Sequence, residues 1–76
     1  SAIPFVLDRP TRVTLSVYDV AGRRVGVLAD GVFPSGRNRV RWDGRDAAGN
    51  SLPSGVYMIR LDAGADSECG KLILLR

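Results

Sequence analysis

Thr11-Arg12-Val13-Thr14-Leu15-Ser16-Val17-Tyr18-Asp19 is the stretch that decides the fold. Val13, Leu15 and Val17 alternate with Arg12, Thr14, Ser16 and Tyr18, a period of two and not the helical period. A segment of this kind buries one face and wets the other, as strands of antiparallel sheets do. The expected wet set is Arg12, Thr14, Ser16 and Tyr18.

The same grammar extends in both directions. Upstream, Ile3, Phe5 and Leu7 share a face. Pro4 cannot donate to a ladder, so Ile3–Leu7 is expected to be an edge strand or a strand start. Asp8-Arg9-Pro10 turns the chain. Downstream, Asp19 to Arg23 breaks the strand around Gly22, and Arg24–Leu28 is expected to return as a hairpin partner. Its inward set is ambiguous, because Val25, Val27 and Leu28 are all apolar and Gly26 is a candidate bulge. Asp30-Gly31 and Pro34-Ser35-Gly36 read as turns. Arg37 to Asp43 alternates again, with Val40 and Trp42 inward. Gly44 to Gly55 is irregular, with a very short strand expected at Asn50–Pro53. Gly55 to Ala63 is a strong strand carrying Tyr57, Ile59 and Leu61 on one face, and Gly64 to Ser67 turns into a last strand, Glu68–Arg76. The result is an all-β antiparallel sandwich of about seven short strands. Its expected core is Ile3, Phe5, Leu7, Val13, Leu15, Val17, Val25, Val40, Trp42, Tyr57, Ile59, Leu61, Leu72 and Leu74.

Composition bounds what such a fold can do. The 76 residues hold one domain, and 45% hydrophobic with 25% charged is ordinary for a globular chain. There is no histidine and only one cysteine, Cys69. That excludes a Ser-His-Asp or Cys-His catalytic arrangement, a Cys/His zinc site and an internal disulfide. Cys69 is expected as a small buried apolar residue. Lys71 lies in strand-like sequence, which disfavours covalent lysine chemistry. The chain is therefore expected to be non-catalytic and to need no cofactor. It opens at Ser1 without methionine or signal peptide, and its longest apolar run, Leu72 to Leu75, is far short of a membrane span.

Four features were candidates for chemistry. Asp43, Asp46 and Asn50 place oxygen ligands on a Gly-rich loop, which suggests calcium, yet counting from Asp43 puts Arg45 and Ala47 where an EF-hand loop needs acceptors. The alternative is that the aspartates tie the loop by accepting backbone N–H groups. Arg37, Arg39 and Arg41 share one strand face and, with Arg12 or Arg60, form a candidate basic patch. No aromatic residues interleave with them, and Asp62 is available as a counter-charge, so no nucleic-acid partner is expected. Arg23-Arg24 is a candidate cleavage site that turn placement also explains. The last strand is apolar on both faces, which requires a central position or a covering partner.

Taken together, Ile3-x-Phe5-x-Leu7, Val13-x-Leu15-x-Val17-Tyr18-Asp19-x-x-Gly22-Arg23-x-Val25, Val40-x-Trp42-Asp43-Gly44-x-Asp46-x-x-Gly49, Pro53-Ser54-Gly55-Val56-Tyr57 and the closing Lys71–Arg76 resemble one family. It is the immunoglobulin-like domain first known from the flagellar hook-capping protein, FlgD-like, to which the type IX secretion (Por-type) C-terminal sorting domains are similar. The sorting resemblance implies the C-terminal domain of a secreted or cell-surface bacterial protein, exported through the periplasm and read by outer-membrane secretion machinery. It implies Gly55, Tyr57 and the strand from Lys71 to Arg76 as the recognition surface. The other expected partners are parent-protein domains N-terminal to the module and further copies joined through edge strands. The first alternative is a spacer or assembly module of an appendage, as in the hook cap. A third is a carbohydrate- or surface-binding accessory, for which Tyr18 is the one exposed aromatic candidate.

Overall fold

A computed structural model describes residues 1–76. It contains six strands: β1 (Ala2–Leu7), β2 (Thr11–Tyr18), β3 (Arg24–Phe33), β4 (Gly36–Arg41), β5 (Gly55–Ala63) and β6 (Asp66–Leu74). They form two antiparallel sheets, β1-β4 and β3-β2-β5-β6. This is the expected immunoglobulin-like sandwich with one strand fewer, because Asn50–Pro53 contributes only the isolated bridge between Arg45 and Ser51.

β2 is the centre. It pairs with β3 on one side and β5 on the other, and its inward residues Val13, Leu15 and Val17 have no exposed surface. The core has two lobes. Val17, Trp42, Tyr57 and Leu74 form one, and Phe5, Leu7 and Val13 form the other. Val25, Ile59 and Leu72 pack on the first lobe, and Val40 and Leu61 on the second, but all five are only half-buried. The aromatic contacts are edge-to-face, Trp42 on Tyr57 at 5.2 Å and Phe5 on Phe33 at 5.4 Å, a geometry that ring quadrupoles favour.

β3 resolves the ambiguous hairpin. The strand runs to Phe33, so Asp30 and Gly31 pair with Thr14 and Val13 in a ladder and do not turn. Its register slips twice, leaving Leu28 and Val25 as extra residues. Each bulge resets the side-chain alternation. That is how both residues reach the first lobe of the core while Val27, opposite Ser16, stays outside. Ser16 was expected to be wet, yet it is 3% exposed beneath its neighbours Val27 and Arg60.

The last strand is not central, and it spans Asp66–Leu74 where Glu68–Arg76 was expected, because Arg76 leaves the ladder to bond the loop at Ser54, Leu52 and Gly44. β6 begins at Asp66, after a two-residue turn in which Gly64 takes φ +60°, and it forms an edge of the large sheet. Cys69 lies on that edge and is exposed, contrary to the buried position expected of it. The arginine row does share the outer face of β4, opposite Ala2, Pro4 and Val6. Arg12 and Arg60 cannot extend it, because they belong to the other sheet and pair with Asp30 and Asp62.

Trp42 is 3% exposed and joins the narrow sheet to the wide one. Trp42→Ala should therefore cost about 3–5 kcal/mol. A domain this small holds only about 0.05–0.15 kcal/mol per residue, so urea titration should find the unfolding midpoint lowered by roughly half.

Candidate functional site

The residues expected to form the recognition surface collect at one end of the sandwich. There β5 begins, β6 finishes, and the loop from Asp43 to Ser54 crosses over both. Gly55 pairs with Leu74 and Tyr57 with Leu72. Lys71 stands apart, on the outer face opposite Met58.

Their roles differ sharply. Tyr57 is 5% exposed, and its hydroxyl donates to the Pro53 carbonyl at 2.7 Å. That bond lets a buried phenol keep its polar tip satisfied while the ring packs on Trp42. Tyr57 is thus a core residue that pins the loop, and it offers no free surface. Gly55 and Lys71 are exposed. Arg76 works as a clasp. Its backbone N–H donates to Ser54 Oγ at 2.9 Å, its Nε to the Leu52 carbonyl at 2.6 Å, and its terminal nitrogen to the Gly44 carbonyl.

The clasp needs Gly44, which sequence reasoning placed only at the start of an irregular stretch. Gly44 is buried with φ +76°. A Cβ there would lie 2.6 Å from Arg76 Nη2 and 3.0 Å from a methyl of Leu74. Only glycine meets both the backbone and the space requirement.

The candidate metal ligands are engaged with their own loop. Asp46 Oδ1 accepts the N–H groups of Ala48 and Asn50, both at 2.9 Å, and Oδ2 accepts from the Asn50 amide at 3.3 Å. These bonds hold the Asp46 carboxyl below its ordinary value, the backbone N–H of Asn50 most of all, with desolvation opposing. Asp43 accepts the N–H of Arg45 at 3.1 Å. Trp42 Nε1 donates to the Arg45 carbonyl at 3.1 Å, so the loop is also fixed to the core. No three His, Cys, Asp or Glu side chains are grouped closely enough to hold a metal ion.

Two surfaces remain open near this end. Val56 and Ile73 face each other across β5 and β6, at 39% and 58% exposure, beside Met58 and its neighbour Tyr18. On the opposite sheet, Arg37, Arg39 and Arg41 have no carboxylate in ion-pair range, while the paired arginines are Arg12, Arg23, Arg45 and Arg60. Three unpaired positive charges therefore line one face of β4.

Comparison with known proteins agrees with this geometry. The family model described as the FlgD Ig-like domain matches residues 2–67. A crystal structure of FLGD from P. aeruginosa superposes with a TM-score of 0.76 and is 27% identical. The match covers 95% of this chain and 55% of that one, so the chain spans about half the length of that relative. No curated protein sequence matches.

Two outcomes test the site. Gly44→Ala should destabilise by more than about 1 kcal/mol, since the backbone is left-handed and the space is filled; chemical denaturation reads this. The Asp46 carboxyl has a lowered folded-state pKa, so its contribution is present above its ordinary value of 3.8 and is lost as pH falls through the folded value. Melting temperature should fall on acidification below pH 3.8 less steeply in Asp46→Asn than in the parent chain.

Proposed function

The chain belongs to the FlgD Ig-like domain family, and from that premise we propose that it is a non-catalytic assembly module of a hook-cap-like bacterial protein. The observation that carries this reading is the match to a FlgD Ig-like domain over residues 2–67, joined to the superposition on FLGD over most of this chain. The side chains support it. The residues that carry the resemblance fill the core or shape turns: Trp42, Tyr57, Gly44 and Asp46 all hold the loop from Asp43 to Ser54 in place. Such a module works by presenting rigid surfaces to its neighbours. Its parent is a longer polypeptide, and its surroundings are the hook assembly at the cell exterior.

A sorting role in type IX secretion is the competing expectation. Of the residues assigned to it, Tyr57 is buried and Arg76 is engaged with Gly44, Leu52 and Ser54. The comparisons name FlgD and no sorting domain, and so support the assembly reading better.

Deleting the codens for residues 1–76 from the parent gene separates the two. The assembly reading expects cells with absent or malformed hooks by electron microscopy. Normal hooks, with the parent protein trapped inside the cell envelope, would overturn it in favour of sorting.

A further inference from the structure

The sandwich is open along one side. β1 pairs only with β4, and β6 only with β5, so the outer edges of β1 and β6 have no ladder partner. Between them lies a groove of about 220 Å³ floored by Phe5, Leu15, Ile59 and Leu61. It runs past Glu68 into a second hollow beside Asp8 and Asp66.

The two edges are not equivalent. Ser1 and Trp42 exchange both backbone bonds, at 2.8 and 3.1 Å. Antiparallel alternation then makes Pro4 and Arg39 a pair without mutual bonds, and the missing N–H of Pro4 falls on the groove edge of β1. That edge is blunted. β6 contains no proline. A two-residue hairpin closes on a bonded pair, here Ala63 and Asp66, so Ser67, Cys69 and Lys71 direct their N–H and C=O groups outward.

The wall of β6 has gaps where a sealed sandwich would have apolar side chains. Gly70 and Glu68 are the inward positions, opposite Ile59 and Leu61. A Cβ on Gly70 would lie 3.3 Å from Ile59 Cγ1, so Ile59 leans over the bare backbone there and presents its apolar surface to the groove. Glu68 borders both hollows and takes part in no ion pair. With Asp8 and Asp66 it faces a single lining cation, Arg9, which leaves that end of the groove negative.

We infer that the β6 edge accepts one extended segment of a separate polypeptide, antiparallel to it, with an apolar side chain over Gly70 and an Arg or Lys two residues later against Glu68. Main-chain bonds to Ser67, Cys69 and Lys71 give the attachment, and the apolar and basic pockets give the choice of sequence. The surface does not depend on the flagellar reading: peptide binding can fail with hook assembly intact, and the reverse.

The probe is the acetylated, amidated peptide STVTLTRTS, in which Leu meets Gly70 and Arg meets Glu68. Titrated into the isotope-labelled 76-residue chain, it should shift the amide resonances of Ser67, Cys69 and Lys71 saturably and leave β3 unmoved. Glu68→Lys should weaken binding about five-fold, as expected for replacing a cross-strand attraction by repulsion, and the peptide STVTLTETS should restore it. Gly70→Val should abolish binding with the fold retained by circular dichroism. No saturable shift, shifts confined to β3, or failure of the charge-swapped peptide to rescue Glu68→Lys would overturn the proposal. So would sedimentation showing that the chain alone dimerises through β6, which would assign the groove to a second copy.

Discussion

Two strands must cover four, and the rest of the molecule follows from that mismatch. The narrow sheet supplies Ile3, Phe5, Leu7 and Val40 toward the core, while the wide sheet presents inward residues from four strands. A two-stranded sheet is also marginal by itself, so it has to be anchored at its ends. Trp42 does this at one end, exchanging backbone bonds with Ser1 and inserting its ring beside Tyr57. The loop from Asp43 to Ser54 then completes the cover over Leu72 and Leu74, held by Asp46, Tyr57 and Arg76. At the diagonal corner nothing plays that part, and the flank between β1 and β6 stays open.

Much of this was legible in the sequence because strand patterning is local. The period-two run from Thr11 to Tyr18 identified the buried centre, and Pro4 identified an edge. The Arg37–Arg41 row and the inward Trp42 followed from the same alternation. One group of misreadings concerns how many neighbours a strand has, which is a tertiary property. Leu72 to Leu75 is apolar on both faces, which resembles a central strand, yet β6 is an edge whose Ile73 remains exposed beside Val56. Cys69 is exposed for the same reason.

Other residues were hidden by a second cause. Bulges at Val25 and Leu28 shift the alternation within a strand; Gly26 marked the first to within one residue, and nothing in the sequence marked the second. The Asp30-Gly31 pair has turn chemistry but lies in a ladder, since a long β3 has enough partners along β2 to override local preference. In the loop, Asp43, Asp46 and Asn50 have the composition of a cation site. Their geometry instead shows a carboxylate wrapped by its own backbone amides. Gly44 was invisible as a seat for Arg76 because the two lie at distant points of the chain.

The pairing order has a further consequence, in time. β2 sits at the centre of the wide sheet, but its partner β5 begins only at Gly55, and Leu15 waits for Leu61. β1 likewise waits for β4, and Ser1 for Trp42. During synthesis, the β2–β3 hairpin is the one long ladder available early, with its inner apolar face uncovered. Pairings of such long sequence separation form slowly. The central strand is therefore made early and is among the last parts of the core to be enclosed, an interval in which an unpaired apolar edge is open to misassembly.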